Sequence, residues 1–188
     1  MPSLSTRPRG KSSAVPTADK ALLIAAQSAE LAVHDLYLNA ITKAGFSGDE
    51  LATMQLFADH HLAYVQAIGG LLGSDAPFER DDTIYQQFLG ATSSGATATR
   101  TLQTLENTLA ATHTDILSRL EGTNGAELVA SIITFEARHA AVFGTLPTLS
   151  LSSALDNSAM SLLPPAPAST VDSADGTTET TTETTVAP

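Results

Sequence analysis

Glu136, Ala137, Arg138 and His139 place a carboxylate and an imidazole three residues apart. That is nearly one turn of an α-helix, so both leave the same face and offer an oxygen and a nitrogen donor side by side. Three further titratable residues interrupt otherwise apolar stripes: Glu30, His61 (or its neighbour His60) and Glu106. Burying an ionised carboxylate without a partner costs several kcal/mol, so three of them converging at one level need shared protons, cationic partners or a metal ion. Residues 17–146 contain only six Lys and Arg, and of these only Arg138 is near a stripe carboxylate in sequence, turned to another side of its helix. A metal ion is the economical counter-charge. Carboxylate oxygen and imidazole nitrogen suit iron, manganese or zinc without selecting among them.

The elements that must carry these residues are helices. Residues 17–146 are rich in Ala and Leu, with Gly and Pro gathered at a few points, and four segments show the helical period. The first follows Thr17 as N-cap, runs to about Ala44 and stops at Gly45, with Leu23, Ala26, Glu30, Val33, Tyr37 and Ile41 on one stripe. The second opens at Ser47 with Glu50 three residues on, a capping box, and reaches the glycines at 69, 70 and 73. The third spans about 96–120 and the fourth about 124–146. Between the second and third lies the one long connection, Ser74 to about Gly95, with a short helix over 83–89 whose N-terminus is the acidic pair Asp81 and Asp82. Short, long, short connections predict an all-α, antiparallel four-helix bundle with one long crossover between helices 2 and 3. The two hairpins repeat each other: Glu30 to His60 and Glu106 to Glu136 are both 30 residues apart, and Tyr37 and His113 each follow their Glu by seven.

Composition excludes several chemistries. The chain of 188 residues has no Cys, which rules out disulfides, thiolate metal sites, iron–sulfur clusters and Cys nucleophiles. Nine Lys and Arg against twenty Asp and Glu give a net charge of −11, contrary to the basic face that nucleic acid requires. Gly-rich phosphate loops and Ser–His–Asp arrangements lack convincing contexts. No stretch reaches the roughly 18–20 apolar residues of a membrane span. Residues 1–16 read as a disordered basic lead, 17–146 as the bundle, and 147–188 as a disordered acidic tail rich in Pro, Ser, Thr and Glu. As the chain stands, cytoplasm is the expected location, and export or the cell envelope follows if the true start lies upstream. A homo-oligomer is open, and nothing in the sequence argues for a 24-subunit cage.

Over about residues 20–146 the chain resembles the ferritin-like superfamily, in particular the bacterial ferritin-like-domain proteins related to ferritins and rubrerythrins. The matching pieces are Glu30 to Tyr37 on helix 1, Phe57 to His61 on helix 2, Leu105 to Asn107 on helix 3 and Phe135 to Ala141 on helix 4. The site of that superfamily takes a Glu from each of two helices and a Glu-x-x-His from each of the other two. Glu30 and Glu106 match the single glutamates, and Glu136 with His139 matches one pair. Helix 2 departs: Phe57 precedes His60 by three and Ala58 precedes His61 by three, so the second pair is missing. In a shifted register His61 takes the Glu position and Tyr64 the His position. One bridging carboxylate is lost either way, which places ferroxidase activity in question while leaving metal binding intact.

The resemblance implies iron. The expected ligands are Glu30, His61, Glu106, Glu136 and His139, with His60, Tyr64 and His34 as additional candidates. Against these stand plainer roles: His60 as an exposed neighbour of His61, His34 and His113 as ordinary hydrogen-bonded histidines, and Tyr37 and Tyr64 as core residues with satisfied hydroxyls. Two functions compete. One is a ferritin-like metal-binding protein with weak oxidase activity, and the other is a bundle that kept the fold without metal and serves as an interaction or envelope-associated module.

Overall fold

The computed structural model describes residues 14–145 and 150–166. These are helical, with no strand among the described residues: α1 (Thr17–Lys43), α2 (Gly48–Leu72), a turn of 3-10 helix (Gly73–Asp75), α3 (Asp82–Thr92), α4 (Gly95–Arg119), α5 (Thr123–Thr145) and α6 (Leu151–Leu155). α1 packs on α2 and α4, and α5 on α2 and α4, so the four long helices close a ring around one core. The expected bundle and its crossover are present, and α3 lies in the crossover against α1 and α4.

Hydrogen bonds fix the direction of each helix. The buried Asp19 carboxylate at the start of α1 accepts from the backbone N–H of Glu121 (2.9 Å) and Gly122 (2.8 Å) in the α4–α5 turn, so those three ends share one pole. At the other pole α4 begins against the end of α1, where a Cβ at Gly95 would run into the carbonyl oxygen of Ala44. α1 and α5 therefore run one way, α2 and α4 the other. The crossover climbs along α1: Arg80 Nη1 donates to Asp35 Oδ2 (2.9 Å) and Asn39 Nδ2 to Ser93 Oγ (2.8 Å). Asp81 caps α3 by accepting from Thr83 N (2.8 Å) and Ile84 N (3.0 Å), which puts Ile84 and Phe88 into the core.

The structure departs from the local pattern in three places. Thr17 is the first residue of α1 and Pro16 holds the cap position. Ser47 has the extended backbone of an N-cap, but its side chain accepts no helix N–H, so the capping box with Glu50 is not formed. The third concerns the tail expected from residue 147, of which 150–166 is described. That segment does not stand off in solvent: Asn157 Nδ2 donates to Asn107 O (3.1 Å), Leu162 N to Thr112 Oγ1 (3.1 Å) and Arg119 Nη2 to Pro164 O (2.9 Å), and Ala154 is buried against Gly144. It forms a strap along α4. The expected disorder of 1–13, 147–149 and 167–188, and the last bundle residue, Leu146, lie outside the described residues.

Two apolar clusters fill the bundle. One, near the α1 start, holds Leu23, Ala26, Ile68, Leu72, Ile116, Val129 and Ile132. The other is larger and reaches from Ala29 to Ala40 on α1, with Met54, Phe57, Leu102, Leu105, Leu109 and Phe143 among its members. Between them every long helix contributes a fully buried titratable group.

Candidate metal centre

The polar layer is built from Glu30 on α1, His61 on α2, Glu106 and His113 on α4, and Glu136 and His139 on α5. Five of them have no solvent exposure and His139 has 2%. Each long helix presents its apolar stripe inward, and a Glu or His within that stripe has no route to water, so the helical period alone forces these groups together.

They fall into two trios whose donor atoms lie within 4.8 Å of one another, His61 with Glu106 and His139, and Glu30 with His113 and Glu136. The first offers two nitrogens and one carboxylate, the second one nitrogen and two carboxylates. His61 stands between them: its Nδ1 is 2.6 Å from Glu30 Oε2 and its Nε2 is 3.0 Å from Glu106 Oε1. His113 Nδ1 is 2.7 Å from Glu136 Oε1 and 3.8 Å from Glu30 Oε1. His139 Nδ1 faces Glu106 Oε2 at 3.3 Å without forming a hydrogen bond. The Tyr37 hydroxyl donates to Glu106 Oε1.

Proton affinities follow from this crowding. Burial disfavours the His61 imidazolium, but the carboxylates of Glu106 and Glu30 outweigh it and raise its pKa to about 10. Glu106 is the converse case: burial would raise it, yet His61 and His139 hold it down at about 2. Burial pushes Glu136 up to about 7 despite His113, with Glu30 and Glu106 adding to the rise. Burial would lower His113, and Glu136 and Glu30 turn the net shift upward. Tyr37 is raised well above its ordinary value, by burial first and Glu106 second.

Of the residues singled out in the sequence, Glu30, His61, Glu106, Glu136 and His139 meet in this layer. His60 lies closer than an exposed neighbour would: it is only partly exposed, and its Nδ1 is 3.0 Å from His139 Nε2. Tyr64 presents a buried hydroxyl without a partner and belongs to neither trio, its ring 6.0 Å from that of His61. His34 is turned away and pairs with Asp35 Oδ1 at 3.2 Å, so it gives the layer no support. His113, by its sequence an ordinary hydrogen-bonded histidine, is a full member of the second trio. Its signal was present, since position 113 is two helical turns beyond Glu106 on the same stripe.

The donor set fits a cation. Glu30 Oε1, Glu106 Oε2, Glu136 Oε2, His113 Nε2 and His139 Nδ1 are all buried and have no hydrogen-bond partner. Orphaned polar atoms of this kind are rare because each costs about 1–3 kcal/mol, and five within one layer are satisfied together by an electron-pair acceptor. Among the described residues no helix is long and apolar enough to cross a membrane.

The family model described as a ferritin-like domain matches residues 18–148. No curated protein sequence and no solved structure matches the chain.

Proposed function

The chain belongs to the ferritin-like domain family, and from that premise we propose that it binds iron in the buried carboxylate–histidine layer and has weak oxidase activity there. The observation that carries this reading is the convergence of five partnerless donor atoms inside the buried core. Glu106, His139 and His61 would hold one ion, and Glu30, Glu136 and His113 the other. Oxygen-rich donors with imidazole accept iron readily, whereas structural zinc sites often recruit Cys, which this chain lacks. Iron bound there would supply one-electron redox chemistry with dioxygen. α2 gives the layer His61 and no carboxylate, so one group that would bridge and neutralise two ions is missing, and the oxidase activity is weak for that reason.

The protein's own groups prepare the site. The Tyr37 hydroxyl occupies Glu106 Oε1 and leaves Oε2 toward the trio. His61, with both ring nitrogens on carboxylates, carries a proton whose charge offsets one of the two negative charges of Glu30 and Glu106 in the metal-free protein. It gives up that proton when it becomes a ligand.

The same bridge supports a second reading, in which protons alone balance the layer and the bundle is an interaction module. Elemental analysis of protein purified without affinity-tag metal separates the two, with Glu136→Ala/His139→Ala alongside. Up to two irons per chain, as the two trios allow, and loss of bound iron with the helical content retained, are expected. Equal, substoichiometric metal in both proteins establishes the second reading.

A further inference from the structure

His139 is met from α2 by the partly exposed His60. Its Nδ1 points to Glu106 Oε2, and its other nitrogen, Nε2, is 3.0 Å from His60 Nδ1. The two imidazoles are close to coplanar, at 8° between planes and 5.2 Å between centroids. On the flat side the Phe57 ring stacks on His139 at 3.9 Å and 22°. Phe57 and His60 are three residues apart on α2, so one helical face holds the ring from its edge and from its plane. Phe135 meets His60 edge-on at 5.6 Å. The ring is thus restrained in position and in plane.

A neutral imidazole carries one proton. For Nδ1 of His139 to offer a lone pair to a cation shared with Glu106 and His61, that proton must sit on Nε2, and it then needs an acceptor. The only hydrogen-bond partner of Nε2 among the described residues is His60 Nδ1. Metal-bound histidines are fixed in this way by a group that receives their second N–H, and losing that group typically weakens metal affinity 10–100-fold.

We infer that His60 is a positioning residue for the metal centre: in the metal-loaded protein it accepts the Nε2–H of His139 through its own Nδ1 and so holds His139 Nδ1 bare toward the ion. The inference rests on the metal-binding reading above. It gives α2 an outer-sphere role at 57 and 60, where Phe and His clamp the ligand of a neighbouring helix.

Zinc binding by the full chain, its metal removed beforehand, tests this with zinc alone as the probe. His60→Ala is expected to bind zinc 10–100-fold more weakly at unchanged helical content. His60→Gln, whose amide oxygen can receive the same N–H, is expected to recover most of the loss. Long-range proton–nitrogen correlation spectra of zinc-loaded, 15N-histidine-labelled protein should show His139 protonated at Nε2. A proton on Nδ1, equal affinity in wild type and His60→Ala, or no rescue by His60→Gln overturns the role of His60 while leaving the metal centre standing. A wild type that takes up no more zinc than Glu136→Ala/His139→Ala overturns the metal reading itself, and the role of His60 with it.

Discussion

His113 supplies the only nitrogen of the second trio, and its pairing with Glu136 is the only hydrogen bond that carboxylate makes among the described residues. His113→Ala is expected to lower bound metal from two ions to one, read by elemental analysis, because His61, Glu106 and His139 are untouched. The bundle survives the change, since Glu136 already has its pKa raised to about 7 by burial and takes up a proton in place of the lost imidazole. The other buried members of the layer were legible in the sequence because a charged residue within a helical apolar stripe has one place to go. His113 sits on such a stripe as well, but its counterpart at the same offset in the first hairpin is Tyr37, a core residue type that hides the equivalence. Its partner Glu136 is brought close only by the packing of α4 on α5. No local pattern records that contact. The same holds for His60, whose neighbour on the chain, His61, is one member of the layer and whose partner in space, His139, is another.

At the scale of elements, the long helices were readable because Ala and Leu fill them and glycines mark their ends. Gly45, with φ +79°, occupies the left-handed region that stops α1. Gly95 has a different reason to be glycine. It lets α4 begin in contact with the Ala44 carbonyl, and a methyl group there has no room. Gly95→Ala is expected to destabilise the fold by about 1–3 kcal/mol through the overpacked start of α4, read as a lower urea midpoint at constant slope. The strap was not legible. Its residues, Ser, Pro and Asn with a few Ala and Leu, have the composition of a solvated tail, and what holds it is a set of single hydrogen bonds to Asn107, Thr112, Asp115 and Arg119 on α4, with Ala154 packed on Gly144 and Leu163 on the apolar cluster at the α1 start. The Ser47 and Glu50 box failed in the opposite sense. The motif was present, and the helix begins at Gly48 without using it.

For the molecule as a whole, the polar layer sets the response to pH. In the metal-free protein His61 has its pKa raised from 6.5 to about 10, so its contribution is complete below pH 6.5 and is lost as pH rises through 10. Glu106, lowered from 4.5 to about 2, contributes above pH 4.5 and loses that contribution as pH falls through 2. Glu136, raised from 4.5 to about 7, favours the folded state while protonated and withdraws that support between those values. The metal-free bundle is therefore expected to melt highest near pH 4.5, where the Glu106 contribution is complete and those of Glu136 and His61 are not yet withdrawn. Metal binding needs the same groups deprotonated, so metal-loaded protein is expected to have its maximum at higher pH. Thermal melts of both forms across pH read the displacement directly. A common optimum would show that the ion is not bound through these groups.

The strap and the Asp19 contact have a joint geometric result. Val15, ahead of α1, and Leu163, in the strap, both pack on the apolar cluster at the α1 start. Arg119 holds the Pro164 carbonyl at that same pole. The described chain thus enters and leaves the bundle from one end, like a loop of cord drawn through a single knot. Whatever is joined to it on either side pulls on the same pole, so an attachment at one terminus and an attachment at the other would present the same opposite face, the pole where α1 gives way to α2 and α4 begins.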